Sequence, residues 1–238
     1  PIKSFPARLF RRFFYQSRIK LHMDIVQRID SEIEKRSLLK HPFYQMWSEG
    51  KLTIDHLRGY SKEYFQLVKA VPALVEGIAA AADNSIKENI ANNAKEEAEH
   101  VEPWKMFANS VGVSQSELAS YEGDATTNAA VAAIQVLADS SFEEGVAAMY
   151  AYEAELPKIS RSKIDGLRKF YHIDSEDATK YFEIHEEADV RHAQVWREIL
   201  RTLPANRCEA AFRAAVDSLK AQNMILDSVQ EKYVRANC

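Results

Sequence analysis

The segment Tyr181–Ala193 reads YFEIHEEADVRHA and places three potential metal ligands on one side of a predicted helix. At about 100° per residue, His185, Asp189 and His192 project at roughly 0°, 40° and −20° around the helix axis. Two imidazoles and a carboxylate suit iron, manganese or zinc better than they suit an apolar core. The alternative is an exposed acidic face, but Glu187 lies on roughly the opposite side of the helix from His185. The segment therefore predicts a metal site on this helix.

Two more carboxylates and one more histidine occur in other predicted helices. Glu97 and His100 are spaced like the Glu-x-x-His pairs of dimetal bundles, although Glu96 could serve instead of Glu97. Glu153 stands among alanine and aromatic residues, where an uncompensated carboxylate is costly. It could bridge two ions, or it could pair with Lys158 near the end of its helix. With the first three residues, this set gives three carboxylates and three histidines, which suits two ions better than one.

The rest of the sequence predicts an all-α protein. Only seven Gly and seven Pro among 238 residues leave little room for the turns of an all-β fold, and no segment alternates with period 2. The main predicted helices cover about residues 24–39, 53–82 with a kink at Pro72, 85–111, 126–138, 141–155, 157–172, 174–203 and 206–234. Their short connections favour one bundle of about seven to eight helices over two domains.

Composition limits the compartment and the partners. No apolar run approaches the roughly 18 to 20 residues of a membrane span. Two cysteines, Cys208 and Cys238, are too few for a disulfide framework, so we expect a cytoplasmic protein. Residues 1–22 carry six basic residues and no acidic one, which leaves residues 23–238 with 25 basic against 35 acidic residues, a balance of −10. An acidic body of this kind argues against nucleic acid as a partner.

The basic, aromatic segment 1–22 admits three interpretations. It could be a targeting or membrane-surface arm, a docking arm, or an extension without a function of its own. It lacks the apolar core of a secretory signal, and a start at Met23 would make it dispensable. We therefore expect a loosely ordered extension over residues 1–22, followed by a single helical domain over residues 23–238.

Three stretches together resemble a known family: HPFYQMWSEG (41–50), GVAAMYAYEAELP (145–157) and the opening segment, YFEIHEEADVRHA (181–193). They are similar to the chlamydial proteins that associate with death domains and to their bacterial relatives, within the haem-oxygenase-like dimetal oxidases. The resemblance covers about residues 24–200. It implies a haem-oxygenase-like (TenA/PqqC-like) bundle with two transition-metal ions, Fe/Fe or Fe/Mn. It also implies an enzyme that uses O2 and an external reductant to make 4-aminobenzoate for folate, without chorismate.

The resemblance also implies roles for individual residues. The metal ligands would be Glu97, His100, Glu153, His185, Asp189 and His192. The reaction would be self-sacrificing: Tyr44 or Tyr60 would supply the ring, Tyr152 would lie close to the metals, and Lys163 would supply the amine. An attacking amine must be unprotonated, so we expect Lys163 to be buried with a lowered pKa. Between the first acid and its histidine the chain is shorter than its chlamydial relative, which leaves the choice between Glu97 and Glu96 open.

Several alternatives remain open from the sequence. The tyrosines could simply pack in the core and Lys163 could lie on a solvated helix face. The same metal centre could act on an external amine or fatty acid. A cofactor-independent enzyme, such as a thiamine-salvage hydrolase or a quinone-forming oxidase, has the same fold, but the hydrolases need a nucleophilic cysteine near the site. A helical interaction module is the last alternative; death-domain binding rests on analogy, and a homodimer is expected for such bundles.

Overall fold

The computed structural model describes residues 24–237, and this part of the chain is almost entirely helical. It contains no strand and eleven α-helices, nine of which have at least eight residues. The helices are α1 (Ile25–Lys35), α2 (Pro42–Ser48), α3 (Ile54–Val68), α4 (Val71–Ala81), α5 (Asn84–Ser110), α6 (Gln115–Ser120), α7 (Ala125–Ser140), α8 (Phe142–Glu153), α9 (Leu156–Phe170), α10 (Glu176–Arg201) and α11 (Ala205–Val229). The all-α prediction is confirmed. The segment 1–22, expected to be an extension, lies outside the described residues.

The boundaries differ from the predicted ones in two places. The predicted kinked helix over residues 53–82 is two helices, because the chain breaks at Lys69 and Ala70 and Pro72 lies in the first turn of α4. Proline is tolerated in a first turn, since that position needs no backbone N–H donor. The predicted helix over residues 206–234 ends as an α-helix at Val229 and continues as a π-helical turn, Gln230–Val234. The break and the short helices α2 and α6 explain why the count exceeds seven to eight.

The stretch Ile54–Ala81, which spans α3 and α4, has the length and apolar composition of a membrane-spanning helix. This corrects the expectation that no part of the chain approaches one. More than half of its most apolar window, 56%, is buried inside the bundle. Burial of this extent is what a core helix of a globular bundle shows, since its apolar residues pack against neighbouring helices.

Helix α10 occupies the centre of the bundle and packs against α5, α8 and α9. Its inward stripe begins and ends with large rings, Tyr181, Phe182 and Trp196, all of which are buried. Between these rings the same stripe carries His185, Asp189 and His192. Because three helices cover this face, the polar middle of the stripe lies in the interior and not on an acidic surface.

Helix α8 reaches the core because its residues are small. Every residue from Gly145 to Glu153 is buried, and four of these nine are glycine or alanine at the helix interface. The helix packs closely on α11 and on α10, and the Ser218 hydroxyl of α11 donates to the carbonyl of Ala148. This close packing carries Glu153, the last residue of α8, into the centre of the protein.

Helices α2 and α9 meet at Gly166. A Cβ atom at this position would lie 2.5 Å from ring atoms of Trp47, so only glycine leaves room for the indole. The Trp47 Nε1–H donates to the backbone carbonyl of Lys163 at 3.2 Å. The contact brings Tyr44, one turn before Trp47 on α2, to the side of α9 that carries Lys163.

Candidate metal centre

Six side chains from α5, α8 and α10 converge in the core to form what we call the carboxylate–histidine cluster. Its members are Glu97, His100, Glu153, His185, Asp189 and His192, each at most 6% exposed. Two groups of three lie close enough to share an ion, with ligand atoms within 4.8 Å of one another. The first group is Glu97, His100 and His185, and the second is Glu97, Glu153 and His192. Glu97, and not Glu153, belongs to both groups.

One nitrogen or oxygen of every cluster member is buried and makes no hydrogen bond among residues 24–237, although Oε1 of Glu97 and Nδ1 of His192 lie only 3.1 Å apart. These atoms are Glu97 Oε1, His100 Nδ1, Glu153 Oε1, His185 Nε2, Asp189 Oδ1 and His192 Nδ1. A buried polar atom without a partner costs about 1–3 kcal/mol, so six in one place would be unusual in a core built only for packing. Bound cations would satisfy them, and a mixed set of carboxylates and imidazoles fits iron or manganese. The residues present therefore fit a dimetal centre.

In two cluster members, the side-chain atom that does not face the proposed ions makes a hydrogen bond that fixes the side chain. Nδ1 of His185 lies 2.7 Å from Oδ2 of Asp189, which leaves Nε2 of His185 open. The indole N–H of Trp196 donates to Oε2 of Glu153 at 2.5 Å, which leaves Oε1 open. Glu153 therefore does not form the predicted pair with Lys158, which is exposed. Bonds of this kind orient metal ligands in proteins.

The structure places Glu97 inside the cluster and Glu96 at its outer edge. The side chain of Glu97 is 5% exposed, and its oxygens lie 3.1 Å from Nδ1 of His192 and 3.4 Å from Nδ1 of His100. The side chain of Glu96 is 36% exposed and pairs with Arg191. Of the two acids left open by the sequence, Glu97 contacts two cluster histidines from inside, whereas Glu96 contacts only His192, from the outer side.

The ionisable groups of the cluster lie close together and shift one another's pKa values. Burial raises the pKa of Glu153, and the neighbouring carboxylates raise it further. Burial would also raise the pKa of Glu97, but the imidazoles of His100 and His192 hold it well below its ordinary value. Burial alone would lower the pKa values of His185 and His192, yet the nearby carboxylates raise both. Such mutual perturbation is common at functional sites.

Lys163 lies in a second buried site, lined by aromatic rings. Its Nζ is 4.9 Å from the ring centroid of Tyr44, 4.7 Å from that of Tyr60 and 5.1 Å from that of Tyr64. The amine also donates a hydrogen bond to the Tyr60 hydroxyl. Burial lowers the pKa of Lys163 well below its ordinary value. Lys163 is therefore not on a solvated helix face, and its burial and lowered pKa agree with the expectation.

The two candidate ring donors touch each other. The hydroxyl groups of Tyr44 and Tyr60 are 3.1 Å apart, and both residues are at most 2% exposed. Burial raises the pKa of each phenol well above its ordinary value. Both tyrosines are therefore neutral at physiological pH and lie within reach of the Lys163 amine.

A family model described as iron-containing redox enzyme matches residues 58–223, more than half of the chain. The chain belongs to the iron-containing redox enzyme family. A 4-aminobenzoate synthase from Chlamydia pneumoniae is 36% identical to this redox enzyme over 184 residues, which covers 75% of this chain and 82% of the relative. A 4-aminobenzoate synthase from Nitrosomonas europaea is 34% identical over 228 residues, which covers 87% and 91% of the two chains.

A solved structure confirms the fold class of the redox enzyme. A domain of unknown function with a haem-oxygenase-like fold, from Shewanella denitrificans, matches it with a TM-score of 0.71 and 18% sequence identity. The match covers 92% of this chain and 94% of that chain. The haem-oxygenase-like bundle predicted from the sequence is therefore confirmed. The family match, and not this structure, confirms the prediction of an oxidoreductase.

In this redox enzyme a row of aromatic rings connects the carboxylate–histidine cluster with the site around Lys163. The sequence did not predict this row. The ring centroids of Tyr60 and Trp104 are 5.7 Å apart, those of Trp104 and Tyr181 are 4.7 Å apart, and those of Tyr181 and His185 are 4.3 Å apart. The position of Tyr181, four residues before His185 and on the same helix face, was the available signal. Tyr152, expected near the metals, is buried on α8 and directly precedes Glu153 in the chain.

Cys208, the cysteine that the structure describes, belongs to neither buried site. Cys208 lies on α11, where its Sγ faces the backbone carbonyl of Pro204 at 3.5 Å. Cys238 lies outside the described residues. The cluster and the lysine site thus contain no cysteine within residues 24–237, so the thiamine-hydrolase alternative has no nucleophile there.

Proposed function

We propose that this redox enzyme forms 4-aminobenzoate from one of its own tyrosines, with the amine taken from Lys163 and two metal ions held by the carboxylate–histidine cluster. Two relatives named 4-aminobenzoate synthase support the product. The single observation that carries the self-sacrificing route is the hydrogen bond from the buried Lys163 amine to the Tyr60 hydroxyl.

The product can be mapped onto a tyrosine atom by atom. 4-Aminobenzoate has nitrogen and a carboxyl carbon at opposite ends of its ring, where tyrosine has its hydroxyl and Cβ. The Cα–Cβ bond must therefore break, Cβ must become the carboxyl carbon, and nitrogen must replace the phenolic oxygen, which leaves as water. The Nζ–Cε bond of Lys163 must break too, with Cε oxidised to the aldehyde level. This is a net oxidation, with O2 as the oxidant and an external reductant. Lys163 is placed at the hydroxyl end of Tyr60 and beside the ring of Tyr44, where the new carbon–nitrogen bond is needed.

The surroundings of Lys163 favour attack by its amine. An ammonium group has no lone pair, and burial among the rings lowers the pKa of Lys163, which favours the neutral amine. The rings of Tyr44, Tyr60 and Tyr64 also exclude water, which would otherwise compete with the amine for an oxidised ring. These two effects make the site suitable for joining nitrogen to a tyrosine.

The six cluster residues would hold the two ions, Fe/Fe or Fe/Mn, through the atoms that lack hydrogen-bond partners within residues 24–237. When bound, such ions supply the reduction of O2 and the oxidation of a phenol. Tyr60 lies away from the cluster, but Trp104 and Tyr181 fill the space between them. Electrons lost by Tyr60 can therefore move along these rings toward His185 in short steps.

Isotope labelling tests this route directly. Protein made with ring-13C tyrosine and 15N lysine would be loaded with Fe(II) and Mn(II), then given O2 and a reductant. We expect 4-aminobenzoate that carries both labels, no more than one molecule per chain, and a matching loss in the intact mass of the chain. Unlabelled product made from an added substrate, by a chain of unchanged mass, would support the external-substrate alternative instead.

Variants identify the ring donor. Tyr44→Phe and Tyr60→Phe are each expected to reduce the yield, and the variant that keeps its full mass after the reaction identifies the consumed tyrosine. Tyr171→Phe is the matched control, because Tyr171 is a half-buried tyrosine that contacts Trp47 and not Lys163. Labelled product from the Tyr44→Phe/Tyr60→Phe double variant would overturn the assignment of the ring donor to Tyr44 or Tyr60.

A further inference from the structure

Glu96 lies outside the carboxylate–histidine cluster but is joined to it through His192. Oε2 of Glu96 is 3.1 Å from Nε2 of His192, whose side chain is fully buried. On its other side, Glu96 accepts hydrogen bonds from both terminal nitrogens of Arg191, at 3.4 and 3.1 Å. The Glu96 carboxylate is therefore held from two directions at the point where the cluster meets the surface.

This contact determines which nitrogen of His192 is available to a metal. A neutral imidazole has one N–H and one nitrogen with a free lone pair, and only the latter can bind an ion. Because Glu96 approaches from outside the cluster, it can accept the Nε2 proton while Nδ1 gives its lone pair to an ion. Nδ1 is the atom that faces the cluster, 3.1 Å from Glu97 and 3.7 Å from Asp189.

We infer that Glu96, itself held by Arg191, is a positioning residue that presents Nδ1 of His192 to the ion bound by Glu97, Glu153 and His192. The inference rests on the proposed dimetal centre. It gives Glu96 a role different from the ligand role that the sequence left open for it.

The two groups of the cluster depend on different anchors. His185, in the first group, is oriented by Asp189, which is fully buried. His192, in the second group, is oriented by Glu96, which is partly exposed. Loss of Glu96 should therefore lower the affinity for one of the two ions and leave the affinity for the other unchanged. Removing such an outer carboxylate typically lowers metal affinity by about 10- to 100-fold.

Anaerobic titration with Mn(II) tests this without any turnover, because the EPR signal of free Mn(II) counts the bound ions. We expect two equivalents to bind to the wild-type protein. In Glu96→Ala one binding step should weaken about 10- to 100-fold while the other is unchanged. Glu96→Gln keeps an acceptor for the His192 N–H, so its affinity should lie between those of the wild type and Glu96→Ala. Glu99→Ala is the matched control, because it removes a carboxylate from an exposed position on the same helix.

The outcomes separate this inference from the proposed function. A wild-type protein that binds no Mn(II) would overturn both. Two ions bound with wild-type affinity by Glu96→Ala would overturn the role of Glu96 and leave the dimetal centre intact. An equal loss in Glu99→Ala would also overturn the role, because it would show a general effect of negative charge on α5.

Discussion

The indole N–H of Trp196 donates to Oε2 of Glu153 at 2.5 Å, while Oε1 of the same carboxylate has no hydrogen-bond partner in the described part of the chain. Both side chains are fully buried. A carboxylate that is fixed at one oxygen and open at the other is oriented for a ligand, since a purely structural carboxylate would use both oxygens. The core of this redox enzyme is therefore organised around the open atoms of the cluster.

Trp196→Phe is expected to weaken binding of the ion at Glu97, Glu153 and His192. Phenylalanine fills most of the indole volume but removes the donor that orients Glu153, so we expect affinity to fall by about 10-fold or more. Anaerobic Mn(II) titration measures the change. Trp47→Phe serves as the control, because it removes another buried indole donor that binds the Lys163 carbonyl. Equal affinities in the wild type and Trp196→Phe would contradict this role.

Glu153→Gln is expected to stabilise the metal-free protein and to weaken metal binding. Burial raises the pKa of Glu153, so holding it as a carboxylate at neutral pH opposes folding. A neutral amide removes that penalty and still accepts from Trp196, for a gain on the order of 1 kcal/mol. Urea unfolding with a chelator measures the gain in unfolding free energy, and Mn(II) titration measures the loss of metal affinity. Glu187→Gln, at an exposed position on α10, should change neither quantity.

Lys163→Met is expected to flatten the pH dependence of the unfolding free energy. Because burial lowers the pKa of Lys163 in the folded protein, the unfolded chain binds one more proton between that lowered pKa and the ordinary value of about 10.4. In this window wild-type stability should rise with pH, relative to the variant, by up to about 1.4 kcal/mol per pH unit.

Urea unfolding of both metal-free proteins from neutral pH to the ordinary lysine pKa measures this difference. Lys158→Met, at an exposed lysine on the same helix, should leave the wild-type slope unchanged. Parallel curves for the wild type and Lys163→Met would show that the buried amine keeps its proton, which would remove the nucleophile from the proposed reaction.

Gly166→Ala is expected to destabilise the protein by about 1–3 kcal/mol, as overpacking does in a dense core. The new Cβ would lie 2.5 Å from the Trp47 ring, so α2 and α9 must move apart. Gly77→Ala, in the exposed part of α4, meets only Asp139 at 3.9 Å and should stabilise by about 0.5–1 kcal/mol. Urea unfolding compares the two variants, and equal effects would show that the Trp47 contact is unimportant.

The sequence alone determined the helical class and the stripe of candidate metal ligands. Both depend on local periodicity: His185, Asp189 and His192 share a face because of the fixed turn of a helix, whatever surrounds it. The Glu-x-x-His pair and the lone Glu153 were found by the same local logic. The role of Lys163, by contrast, came only from the resemblance, since its spacing on α9 carries no signal.

Only the tertiary structure decided which atoms face each other. Glu96 and Glu97 point about 100° apart on one helix, and the packing of α10 against α5 makes one a cluster member and the other a partner of His192 from outside. The donor to Glu153 comes from Trp196 on another helix, and the rings around Lys163 come from α2 and α3. Contacts of this kind join residues far apart in the chain, so they depend on how whole helices pack, which no local pattern encodes.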